Sequence, residues 1–234
     1  MAKLLATDLD GTLFYPNPIK TCIPKKNIKF LQKWIDSGNR LVIITSRSLE
    51  FIERLKKEIQ RPFDYLVCSS AQIFADGNLI RDVAMPNQPI SEVLKIINDE
   101  INPMTYMLTT KGHPCIINAN RNVGKLFLFF YRLWQFFQFK RIEPYVISNK
   151  KYDKELELGR IYKVMIFFGL RRRNKKLSKE LNKKFRLEYP MFEFSWTTKV
   201  IEITPYGCNK EWVLNTILKP QALKRKMSML LETP

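Results

Sequence analysis

Apolar residues come in short runs along this chain, and the spacing inside each run announces the element it builds. "KLLATD" (3–8) reads as a buried strand ending on an acid. In "KKNIKFLQKWIDSGN" (25–39), Ile28, Leu31 and Ile35 recur at helical spacing, and Gly38 supplies the stop. "RLVIITS" (40–46) is a second buried strand. "SRSLEFIERLKKEI" (46–59) opens with serines able to cap and sets Ile52, Leu55 and Ile59 on one face. "FDYLVCSS" (63–70) is a third strand. Strand, helix, strand, helix, strand implies a parallel sheet joined by right-handed crossovers.

The rhythm then changes. "ADGN" (75–78) is a hairpin signal followed by the strand "LIRDVAM". "ISEVLKIINDEIN" predicts a helix, and "MTYMLTTKGHPCIINA" two strands around a turn. Beyond them come the strand "RIYKVMIFFG" (160–169), a basic helix, and the strands "FEFSWTT" and "VIEITP". The pattern divides the chain into a first core part (1–76), an inserted α+β unit (77–195) and a second core part (196–234).

Three polar points fall where the chain should leave strands of the parallel sheet, the side on which such sheets bind ligands. "ATDLDGTLF" puts Asp8 and Asp10 on one face at the end of the first strand. "TSR" (45–47) closes the second, and Lys210 follows "VIEITPYGCN" just before the helical pattern "EWVLNTIL". A carboxylate pair, a hydroxyl and an ammonium suit a phosphoryl group, whose oxygens need donors and whose phosphorus a carboxylate can attack. Taken singly, each has a plain structural reading: a turn, a strand end, a surface lysine. Their joint spacing favours chemistry.

Composition changes this picture little. Apolar residues make up 45% and charged residues 26% of 234, an ordinary globular balance. The net charge of +18 is concentrated in "RRRNKKLSKELNKKFR" (171–186), where Leu177, Leu181 and Phe185 recur at fours, so a solvated helix face is preferred to a nucleic-acid footprint. The aromatic stretch "KLFLFFYRLWQFFQFK" (125–140) carries Arg132 and is too short to span a bilayer. Cys22, Cys68, Cys115 and Cys208 show no metal-ligand spacing, and the first residues lack a signal-peptide apolar stretch, so a cytoplasmic setting without a membrane is expected. His113, the single histidine, is read as a loop residue rather than a catalyst.

"DLDGTL", "TSR" and "ITPYGCNK" together resemble the haloacid dehalogenase superfamily, in the Cof-like group of sugar-phosphate phosphatases whose α+β cap lies between the second and third motifs. The resemblance covers nearly the whole chain. It implies an α/β fold, a Rossmann-like parallel sheet with an inserted cap, and a small phosphorylated metabolite as substrate. It makes Asp8 the nucleophile and Asp10 the general acid and base, with Mg²⁺ held by Asp8 and by the backbone carbonyl of Asp10. Thr45 would hold a phosphate oxygen, Lys210 would offset charge, and the backbone amides after Asp8, Leu9 first, would add donors. Arg47 matches the arginine of the family's third position, for substrate contact or for an ion pair within the fold.

Three departures stand out. Ser46 replaces the family's usual glycine, and Ser70-Ala71 replaces its Asn-Gly; both positions face the cap and bear on substrate class. After Lys210 the expected Gly-Asp motif with the last Mg²⁺ ligand is missing, the tail "KPQALKRKMSMLLETP" holding one acid, Glu232. A shifted reading frame near that position can spell such a motif, so a frameshift or truncation is expected, with impaired turnover. The alternative is a non-catalytic product that binds phosphate weakly at most.

Overall fold

The computed structural model describes residues 2–15, 21–69, 71–119, 124–126, 128–129, 143–169 and 171–208. Lys210, Ser70, Arg132 and Glu232 lie outside these residues, as do most of the aromatic stretch and the whole tail.

Among the described residues the first sheet has five strands in chain order: β1 (Leu4–Thr7), β2 (Arg40–Ile44), β3 (Tyr65–Cys68), β4 (Gln72–Ala75) and β5 (Asn78–Asp82). β1, β2 and β3 run parallel, and β4 and β5 complete the sheet antiparallel. After the exposed Arg40, β2 is apolar from Leu41 to Ile44 because both its faces are covered, as parallel strands require. Leu41 and Ile43 join one buried cluster with Leu31 of α1 (Lys25–Asp36) and Phe51, Ile52, Leu55 and Ile59 of α2 (Leu49–Ile59). Val42 and Ile44 face the other way with Val67 and Ile73. The expected hairpin forms between β4 and β5, where Asp76 and Gly77 take the left-handed φ values of 48° and 82° that so tight a turn needs.

Among the described residues the second sheet has six strands in the order β10-β11-β9-β6-β7-β8. They are β6 (Thr105–Thr110), β7 (Cys115–Ala119), β8 (Tyr145–Ile147), β9 (Ile161–Phe167), β10 (Phe192–Trp196) and β11 (Val200–Pro205). All pairs are antiparallel except β7 with β8. Three helices, α3 (Asn87–Ile101), α4 (Asn149–Leu158) and α5 (Arg172–Glu188), bury apolar side chains into one cluster with the sheet's strands. In α5 the inward side chains are Leu181 and Phe185, while most of its basic residues are exposed, the solvated face expected from the spacing of four.

One expectation is corrected. "VIEITP", expected as a strand of the parallel sheet, does not pair there. It is β11, paired antiparallel to β9 and β10 in the second sheet. Its alternation of Ile201 and Ile203 inward with Glu202 between them suits an antiparallel strand with one wet face.

The four cysteines are buried thiols. Burial, reinforced by Glu58, pushes Cys22 up to about 12; burial also raises Cys115 and Cys208 to about 11 and Cys68 higher still. Among the described residues no helix is long and apolar enough to cross a membrane.

Two predictions follow from this packing. Phe185 is fully buried and stacks on Phe194 at 5.6 Å, so Phe185→Ala should cost about 3–5 kcal/mol in urea unfolding; a loss below about 1 kcal/mol would mean α5 does not pack as described. At pH 8 the folded protein's thiols should alkylate at least about ten-fold more slowly than a free peptide thiol, and react at once in denaturant. Rapid alkylation of Cys22 or Cys68 in the folded state would contradict their burial.

Candidate active site

The parallel pairing of β1 with β2 sets the site. Their register runs Leu4 with Arg40 through Thr7 with Ile43, so both strands end at one level. Asp8 follows β1 directly, and Thr45 follows β2. After Asp8 the chain makes one irregular turn over Leu9–Leu13, closed by N–H donation from Leu13 to the Asp8 carbonyl at 3.4 Å and from Phe14 to the Leu9 carbonyl at 3.0 Å. Asp10 is extended within this turn, and Gly11 reverses it at φ 76°, a value a side chain would oppose. The turn is therefore the form that "DLDGTL" takes on leaving a strand.

Asp8 accepts from the N–H of Leu9 at 2.7 Å through one carboxylate oxygen. Leu9 itself is fully buried, so its amide is fixed at the mouth of β1. Thr45, only 2% exposed, ties back to the sheet by donating its N–H to the carbonyl of Val67 at 3.0 Å. Its Oγ1 accepts the N–H of Arg47 at 3.2 Å.

Arg47 joins the two strand ends. Its Nε and Nη2 donate to the two carboxylate oxygens of Asp10 at 2.8 and 2.7 Å, a forked pair of the geometry guanidinium favours. The guanidinium stacks on Phe51 at 4.2 Å and Phe14 at 5.1 Å. Burial works against its charge, but the bonded Asp10 carboxylate, with Glu143 behind it, outweighs burial and holds Arg47 above its ordinary value. The arginine's side chain is 15% exposed and that of Asp10 56%, so the pair is half open to solvent and its net worth is modest.

The second sheet's half reaches this loop with two charged side chains that the sequence did not single out. Glu143 accepts from the Oγ of Ser48 at 2.6 Å and from its N–H at 3.3 Å, and lies 4.0 Å from Arg47. Ser48 meanwhile caps α2, its Oγ accepting from the N–H of Phe51 at 3.3 Å. Lys163 of β9 donates to the carbonyl of Ser46 at 2.7 Å. Glu50, in the first turn of α2, is raised by burial and by the like charge of Glu143, against the pull of its hydrogen bonds. Lys163 could have been suspected, as the one charge in an apolar strand; Glu143 carries no such signal.

Of the residues expected at the site, Asp8, Leu9, Asp10, Thr45, Ser46 and Arg47 all lie at the ends of β1 and β2. Ala71 is buried against Tyr162 and Cys208, away from solvent. His113 lies in the turn between β6 and β7, 3.6 Å from Glu155. For a hard cation the Asp8 carboxylate and the Asp10 carbonyl are oxygen donors of the right kind. Among the described residues no group of three metal-ligating side chains converges.

Comparison with known proteins bears on what this arrangement is for. A protein of Buchnera aphidicola subsp. Baizongia pistaciae, named as a phosphatase, is 27% identical over 152 residues, which are 64% of this chain and 55% of that protein. The chain thus spans little more than half the length of that relative. A haloacid dehalogenase-like hydrolase from Bacteroides thetaiotaomicron shares the fold at TM-score 0.70 with 17% identity, over 95% of this chain and 78% of the other. A sugar phosphatase of HAD subclass IIB superposes at TM-score 0.62 with 18% identity, over 92% of this chain and 76% of its own. A family model described as haloacid dehalogenase-like hydrolase matches residues 5–231. A match that starts in the first strand and runs through the turn, the loop and both sheets establishes descent: the chain belongs to the haloacid dehalogenase-like hydrolases.

Proposed function

We propose that this chain is built to hydrolyse a phosphate monoester of a small metabolite, with Asp8 as nucleophile. One observation carries the reading: β1 and β2 end level with each other, so the Asp8 carboxylate, the amide-rich turn after it and the Thr45 hydroxyl lie at the same edge of the sheet. Family membership and the named functions of its relatives support it.

In the first step an oxygen of Asp8 attacks phosphorus while the bond from phosphorus to the ester oxygen breaks, and the departing alkoxide takes a proton from Asp10. In the second, water attacks the phosphorus of the aspartyl-phosphate, gives a proton to Asp10, and the Asp8–phosphorus bond breaks to release phosphate. Asp10 can act as the acid only when its carboxyl carries the proton, which requires Arg47 to yield one of its two contacts. Thr45 and the backbone amides would hold the phosphoryl oxygens, and Lys210 would balance their charge. The Asp8 carboxylate and the Asp10 carbonyl would hold Mg²⁺, which would supply charge neutralisation when bound. The unit built on the second sheet serves as the cap and selects the alcohol portion of the substrate.

With Mg²⁺ and a panel of sugar phosphates and other small phosphate esters, the full chain should release inorganic phosphate, at the impaired rate expected from the missing Gly-Asp motif. Asp8→Asn should lower that rate by more than about a thousand-fold, because an amide cannot attack phosphorus, while the thermal midpoint stays put. Continued release by Asp8→Asn would remove Asp8 from its role. Phosphate binding without release by the unaltered chain would leave the non-catalytic alternative in its place.

A further inference from the structure

β9 reads Ile161-Tyr162-Lys163-Val164-Met165-Ile166-Phe167, apolar but for its lysine. Val164 and Ile166 join the cluster under the helices, so Lys163 points out of the opposite face. It is nonetheless 6% exposed. A buried ammonium is costly unless a partner takes its protons. Here the partner is the Ser46 carbonyl, 2.7 Å from Nζ and 117 positions away in sequence.

That carbonyl and the N–H of Arg47 belong to one peptide unit, and the N–H donates to Thr45 Oγ1 at 3.2 Å. A cation on the oxygen of a peptide polarises it and strengthens the bond its N–H gives. A hydroxyl has one proton and two lone pairs; Arg47 fixes one lone pair of Thr45 Oγ1, and to an anion it is the proton that Thr45 has to offer. We propose that Lys163 is a positioning residue for Thr45: acting from the second sheet through the Ser46–Arg47 peptide, it fixes the Thr45 hydroxyl as a donor to an oxyanion. Glu143 holds the next stretch of the same loop by accepting twice from Ser48. The donor that meets the ligand is thereby set only when the second sheet's half is seated on the loop. The identity of the oxyanion as phosphate rests on the phosphatase reading; the relay from Lys163 to Thr45 does not.

The test uses the full chain, isotope-labelled, with Lys163→Met and Lys163→Arg. Methionine keeps most of the stem and loses the charge, so a merely structural role would survive it. In Lys163→Met the Arg47 amide proton should move upfield and exchange with solvent about ten-fold faster. Inorganic phosphate, titrated calorimetrically with Mg²⁺ present, should bind about ten-fold more weakly, or about 1.4 kcal/mol. Lys163→Arg should restore both. An Arg47 amide unchanged in Lys163→Met overturns the relay, and an altered amide with unaltered phosphate affinity overturns its last link to Thr45. If the unaltered chain binds no phosphate, the phosphatase reading falls, and the amide shift alone decides the relay. Should Lys163→Met not fold, Lys163→Gln replaces it with the same expectations, since it too lacks the charge.

Discussion

A guanidinium seated against a pair of touching phenylalanines is the junction on which this molecule turns. Arg47 leaves β2 just after Thr45, stacks on Phe14 from the turn after β1 and on Phe51 from α2, and forks onto Asp10. Its backbone is equally committed, the N–H to Thr45 and the carbonyl to the N–H of Ser69 at 2.7 Å. One residue thus fixes the ends of three adjacent strands relative to each other. Lysine could not substitute: it offers a point charge where a planar, forked and stackable group is used.

Around that junction the two sheets divide the work. The parallel strands bring acid and hydroxyl to one edge by pairing alone, a consequence of backbone register that needs no particular side chain. The antiparallel sheet then adds what register cannot, charges of both signs placed on the loop after β2. Lys163 and Glu143 are opposite in sign and grip nearby residues, so together they hold the loop without adding net charge to it.

The parts of the fold that sequence revealed are the local ones. Helical spacing located α1 and α2, the Asp-Gly pair located the β4–β5 hairpin, and "DLDGTL" located the turn that presents Asp8 and Asp10. β11 went to the wrong sheet because an apolar run before a glycine looks alike in either, although Glu202 at its centre marked one face as wet. Glu143 escaped for a different reason. Its role depends on meeting Ser48 across 95 positions, and a single acid ahead of a proline says nothing about what lies that far back along the chain.

The place where the chain passes from the first sheet to the second is closely bonded. Val83, just past β5, donates to the carbonyl of Ala71 at 3.1 Å, and Met85 donates to that of Ile161 at 2.8 Å. Cys208, just past β11, packs against Ala71 and under Tyr162, with Val83 and Ala84 alongside. That crossing is therefore bolted to neighbours from both sheets, and Tyr162, beside Lys163 on β9, is part of the bolt.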